Sequence, residues 1–263
     1  MLINWYRFSS PVSFYPLAGS WSYLFAILAA LFAGAGLFVA LFVAPADATQ
    51  GDAYRIIYLH VPAAWMAMFI YLVMAGWSAF ALGFNTRLSA MMAQALAPTG
   101  ALMAALALWT GAFWGRPTWG TYWAWDARMT STLILLFLYL GVIALRSAIE
   151  DPRRADRACA LLALVGAVNV PIIYFSVQWW NTLHQGSSIS LTVAPKMAMT
   201  MVAGLLIMTA AAWCYTIAMT LMRVQAIIVE RERGAGWLES LVDLGTARNA
   251  GPPHAAASGT SRR

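Results

Sequence analysis

Trp119-Gly120-Thr121-Tyr122-Trp123-Ala124-Trp125-Asp126-Ala127-Arg128-Met129-Thr130-Ser131 lies between two long apolar runs. Three tryptophans, a tyrosine, an aspartate and an arginine crowd this short segment. Trp and Tyr join an apolar face to a polar tip, so they are at home where lipid meets water. The segment therefore reads as a boundary loop of a membrane bundle. Lipid anchoring needs only one or two such rings. A wider aromatic surface with an acid and a base beside it suits a large, flat, amphipathic ligand.

The 263-residue chain around it is 62% hydrophobic and 10% charged, far from the composition of a soluble domain. Six apolar runs, at 21–43, 58–83, 92–114, 127–146, 158–178 and 197–222, match the length of about 20 helical residues that a bilayer requires. The predicted fold class is an all-α polytopic membrane protein with six transmembrane helices. The Trp-rich outer loop joins helices 3 and 4. Residues 1–20 form an N-terminal segment, 21–222 the six-helix domain, and 223–263 a tail that is largely flexible after a short polar helix near 223–244. The first run ends in Ala44-Pro45-Ala46-Asp47-Ala48, which imitates a signal-peptidase site. The run exceeds a typical signal core, and the lead before it carries only Arg7, so it reads as a retained helix.

Positive charge sets the orientation. Arg7, Arg87, Arg146, Arg153, Arg154, Arg157, Arg223, Arg231 and Arg233, with Arg248, Arg262 and Arg263 in the tail, fall on one side. Arg55, Arg116, Arg128 and Lys196 fall on the other. The positive-inside rule makes the first side cytoplasmic, with both termini. The Trp-rich loop then faces the periplasm of a bacterial inner membrane. The net charge of +6 is scattered, and nothing resembles a nucleic-acid surface. Cys159 and Cys214 sit inside apolar runs without a CxxC pair, which argues for packing thiols rather than redox chemistry or covalent haem attachment. Nucleotide-binding and hydrolase signatures are absent from the chain.

The outer segments 44–57, 115–126 and 179–196 share an unusual stock of residues. His60 lies at the outer end of the second span, in Tyr58-Leu59-His60-Val61-Pro62. His184 lies just past the fifth, in Trp179-Trp180-Asn181-Thr182-Leu183-His184. Two imidazoles at one depth, with aromatic rings between them, suggest axial coordination of a haem iron. Trp119, Trp123, Trp125, Trp179 and Trp180 would provide a floor for the macrocycle. Arg55, Arg116 and Arg128, and more weakly Lys196, would meet its propionates. Asp126 would hold Arg128 or a Trp N–H, or accept from a histidine. The plainer readings stand beside these: hydrogen-bonded interfacial histidines, an aromatic belt, and a snorkelling Arg128. Trp65, Trp109 and Trp114 read as belt or bundle packing, the fourteen methionines as adaptable packing, and His254 as a tail residue without a role.

Two inner features are weaker signals. Arg153, Arg154 and Arg157 with Glu150, Asp151 and Asp156 form a mixed-charge loop that sets topology or docks a partner. Asn169, Pro171 and Gln178 predict a kinked, partly polar fifth span, in which Pro171 frees a backbone carbonyl.

The pattern Trp119-Gly120-x-x-Trp123-x-Trp125-Asp126-x-Arg128-x-Thr130-Ser131 resembles the WWD signature of haem-handling proteins of cytochrome c biogenesis. With Gly51–Trp65, Pro171–Ser188 and six spans, the resemblance narrows to the CcmC family and covers about residues 20–225. Met129 stands where the family's leucine is expected, a conservative change. The resemblance implies a non-enzymatic haem-binding and transfer protein. Haem b would be held non-covalently, with His60 and His184 as axial ligands and Trp119, Trp123, Trp125 and Asp126 as the platform. It implies hand-over to the periplasmic chaperone CcmE and assembly with CcmA, CcmB and CcmD, with ATP hydrolysis in a partner. A cytochrome c haem lyase subunit is the alternative enzyme. A haem-translocating permease component and a stacked-haem electron carrier are the other classes. No histidine lies deeper within a span, which argues against the lyase and the electron carrier, and no inner haem ligand supports the permease.

Overall fold

Runs of Ala, Leu, Met and Phe offer lipid-embedded backbone no side-chain partners, so each run closes its own hydrogen bonds as helix. The computed structural model describes residues 10–184 and 197–240. Helix α1 covers Pro11–Phe38 and is prolonged by a π-turn at Val39–Val43. A 3-10 turn at Asp52–Ile56 leads into α2, Ile57–Phe84. Helices α3 (Arg87–Trp119), α4 (Ala127–Ala148), α5 (Pro152–Gly166), α6 (Asn169–Trp179) and α7 (Met199–Arg231) follow. No strand occurs among the described residues. Six segments are long and apolar enough to cross a membrane, as the apolar runs predict, with α5 and α6 together forming the fifth. The protein is a multi-pass membrane protein.

The helices outrun the apolar stretches at polar ends. Helix α1 starts at Pro11, whose missing N–H is harmless in a first turn. Helix α3 extends to Trp119, so the first tryptophan of the decisive segment closes a helix and only 120–126 are loop. Helix α7 runs unbroken to Arg231, and a further short helical stretch occupies 236–240. Residues 241–263, with His254, lie outside the described residues, as does Lys196.

The fifth span breaks where Pro171 predicts. Pro171 has no N–H for the carbonyl of Ala167, four residues earlier, and that carbonyl instead accepts from Val170 N at 3.1 Å. Asn169 sits at the break and donates from Nδ2 to Ser131 O at 2.9 Å, tying α6 to α4.

The main core lies between α2, α3, α4 and the α5–α6 span, around Met66, Ile70, Tyr71, Met74, Leu135 and Tyr139. Tyr139 is fully buried, crosses the face of Gly100, and donates its hydroxyl proton to Ala67 O at 2.8 Å. Helix α1 packs along α7, where Gln225 donates to Tyr15 O at 3.0 Å. Its other face leaves Tyr23, Leu31 and Phe42 exposed, as a lipid-facing helix would. At the arginine-rich end, Arg231 grips Asp156 with two 2.8 Å contacts, and Arg87 pairs with Glu232 at 3.0 Å. The opposite end gathers the aromatic segments.

Candidate functional site

The first segment at the aromatic end is a buttress. Asp47 Oδ1 accepts from the N–H groups of Thr49 and Gln50, at 2.9 and 2.8 Å, and closes a tight turn back to Gly51. The turn presents Gln50, whose Oε1 accepts from Trp114 Nε1 at 2.7 Å. Arg55 is held by Asp52 at 2.8 Å and donates to the carbonyls of Ala40 and Ala44. It thus covers the open carbonyls at the end of α1, where a cation is favoured. Arg55 does not line the cleft described next.

A cleft at this end is lined by residues of α2, α3 and α4 together with His184. His60 projects into it from the first turns of α2 and is almost fully buried. Trp114 packs edge-on against its ring at 5.5 Å. Gly111 passes close beside it: a Cβ there would stand 2.9 Å from His60 Cε1. His60 Nδ1 lies 3.1 Å from Thr110 Oγ1, which lies 2.6 Å from Leu106 O. The short contact to the carbonyl takes the hydroxyl's single proton, so Oγ1 accepts from His60 Nδ1–H. The neutral ring then carries its lone pair on Nε2, the form in which imidazole binds a metal.

His184 lines the same cleft. Its ring centroid is 6.1 Å from that of His60, with planes 30° apart, and 6.1 Å from that of Trp119. Asp126 positions this segment. Oδ1 caps α4 by accepting from Met129 N at 2.7 Å, and Oδ2 accepts from Leu183 N at 3.3 Å. The carboxylate therefore serves backbone N–H groups in two segments, rather than the guanidinium, indole or imidazole partners that sequence reasoning offered. Gly120 closes α3 in the left-handed conformation, at φ 78°, and sends the chain back toward Asp126.

The cations divide by use. Arg116 donates to Gly120 O at 2.5 Å and lies over the Tyr122 ring, away from the cleft. Arg128 lines the cleft and donates to Ile173 O at 3.1 Å; Asp126 lies near enough to act on its charge, but the two form no ion pair. The tryptophans divide likewise. Trp119 lines the cleft, whereas Trp123 and Trp125 pack edge-on at 5.4 Å outside that lining. Trp179 stacks on Phe175 at 5.2 Å, and both Trp179 and Trp180 are exposed. Sequence reasoning assigned Trp114 to belt or packing, and the structure places it in the cleft against His60. It also missed Thr110 and Gln50. The available signal was spacing: Thr110 and Trp114 are one helical turn apart, so they share a face of α3.

The model of the family described as heme exporter protein C matches residues 4–239. The chain belongs to the heme exporter protein C family. The heme exporter protein C of Escherichia coli (strain K12) is 46% identical over 203 residues, which are 76% of this chain and 80% of the relative. That of Haemophilus influenzae is 40% identical over 234 residues, 89% of this chain and 95% of its own length. That of Bradyrhizobium diazoefficiens is 54% identical over 147 residues, 56% of each chain. As a family member with six apolar spans the chain is a membrane component, and the cleft brings together His60, His184, Trp114, Trp119 and Arg128.

Proposed function

We propose that this protein binds haem b non-covalently in the cleft at the aromatic end and passes it to a periplasmic acceptor of the CcmE type during cytochrome c maturation. The observation that carries the reading is the pair His60 and His184, with ring centroids 6.1 Å apart beside Trp114 and Trp119. A metal–imidazole bond is about 2 Å, so two rings on opposite sides of one iron have centroids about 6 Å apart. Arg128 is the cation at hand for a propionate. Trp123 lies outside the cleft lining, with its Nε1 buried and without a hydrogen-bond partner among the described residues.

In this reading the chain acts by holding and presenting. Thr110 fixes the His60 tautomer, and Asp126 sets the His184 segment. The exposed Trp125, Trp179 and Trp180 form the rim that an acceptor meets. Orientation at such a rim speeds a coupled transfer without chemistry by the chain itself. The arginine-rich end is cytoplasmic in this reading, and the cleft opens to the periplasmic side of the inner membrane. CcmA, CcmB and CcmD are the expected complex, with ATP hydrolysis in a partner.

Absorption spectra of the purified protein test the ligand assignment. The variant carrying His60→Ala and His184→Ala should lose the haem Soret band. A full, unshifted band in that variant overturns the axial pair.

A further inference from the structure

The arginine-rich end holds a second cleft, of about 270 Å³, between α2, α3, α4, α5 and α7. Its walls are small or flexible apolar side chains such as Met74, Ala97, Val142 and Ile227, and no aromatic ring lines it. Arg146 and Arg223 also line it, and neither has an acidic partner among the described residues. Arg223 donates to the neutral hydroxyl of Thr99. Nη1 of Arg146 is buried with no hydrogen-bond partner among the described residues. The one carboxylate in the lining, Asp156, has both oxygens engaged by Arg231 at 2.8 Å, and the amide oxygen of Gln94 also accepts from Arg231. Two cations therefore face an apolar slot without an ion pair of their own among the described residues. A guanidinium partly withdrawn from water in that way is stabilised by an anion beside it.

We propose that this cleft binds one anionic phospholipid of the adjoining leaflet, with its phosphate on Arg146 and Arg223 and an acyl chain between the helices. Arg146 stands in the last turn of α4, where a helix reaches headgroup level. Basic pockets between transmembrane helices are suited to acidic headgroups. The walls decide between a lipid chain and a flat macrocycle. A flexible chain conforms to Ala, Met and Val surfaces, whereas a macrocycle has no ring to stack on and no imidazole to bind.

Delipidated full-length protein in detergent is offered phosphatidylglycerol and phosphatidylcholine with identical acyl chains, and bound lipid is counted by native mass spectrometry. One phosphatidylglycerol per chain should be retained preferentially. The preference should fall about tenfold or more in the double variant R146Q/R223Q, which removes charge-assisted bonds to the phosphate. Equal retention of the two lipids by the unaltered protein overturns the proposal, and so does an undiminished preference in the folded double variant. Should that variant fail to fold, Ala93→Phe keeps both arginines and narrows the slot. It should release the lipid, and full retention there overturns the proposal. A haemin equivalent that survives H60A/H184A and disappears in R146Q/R223Q also overturns it, in favour of a flat dicarboxylate.

Discussion

Replacing Thr110 with valine isolates what holds His60 in its binding form. The two side chains have nearly the same shape, so the packing of α3 on α2 is retained. What is lost is the oxygen 3.1 Å from His60 Nδ1. Because His60 is almost fully buried, its Nδ1–H is left without that acceptor, at a cost of about 1–3 kcal/mol in folding stability. The hydroxyl's own bond to Leu106 O disappears together with its donor, which leaves the helix backbone intact. The larger effect falls on the ligand. Without the acceptor the proton is free to occupy Nε2, and the ring is free to turn. Loss of such an orienting partner typically weakens metal affinity about 10- to 100-fold, or about 1.4–2.8 kcal/mol. Titration of the purified T110V protein with haemin, followed at the Soret band, should show that weakening. Thr110→Ser restores an acceptor and should recover most of the affinity. A T110V protein that binds haemin as tightly as the unaltered protein refutes the tautomer argument and leaves Thr110 as packing.

Three further outcomes are expected. Gly111→Val puts carbon where His60 Cε1 stands 2.9 Å away, so haemin affinity should fall toward that of His60→Ala while circular dichroism stays helical; unchanged titration refutes the close-approach argument. Asp126→Ala removes the α4 cap, at about 1 kcal/mol, and frees Leu183, so the melting temperature and the His184-dependent part of the haem spectrum should both change. Asp126→Asn keeps a capping oxygen and should restore most of the stability, and equal melting of the two variants counts against the cap. Trp125 is 78% exposed and outside the cleft lining, so Trp125→Ala should leave equilibrium haemin binding intact yet slow transfer to a CcmE-type acceptor in a stopped-flow assay. Loss of binding in that variant would move Trp125 from the rim to the floor.

The apolar runs are long enough that hydropathy alone determined six helices, since unpaired backbone in lipid leaves no competing structure. The kink at Pro171 was equally local, because the missing N–H acts on a carbonyl four residues away. The histidines and the Trp-rich segment were legible as a group because span alternation puts their loops at one end of the bundle. What no linear pattern determined is which of those residues face one another. Trp114 and Trp119 line the cleft while Trp179 turns outward, and that depends on the rotation of each helix about its axis, set by contacts such as Tyr139 across Gly100; Trp125 is exposed by the path of the 120–126 loop. Arg55, Arg116 and Arg128 look alike in sequence. Their uses part because the carbonyls of Ala40, Gly120 and Ile173 lie at different places in the packed chain. Asp126 reads as an acid beside a base, and only packing brings Leu183 to its second oxygen. Residue types and their depth were thus decided by sequence, because transfer out of water acts on each segment alone. Their pairing was decided by tertiary structure, because a hydrogen bond needs its partner at one distance and one angle.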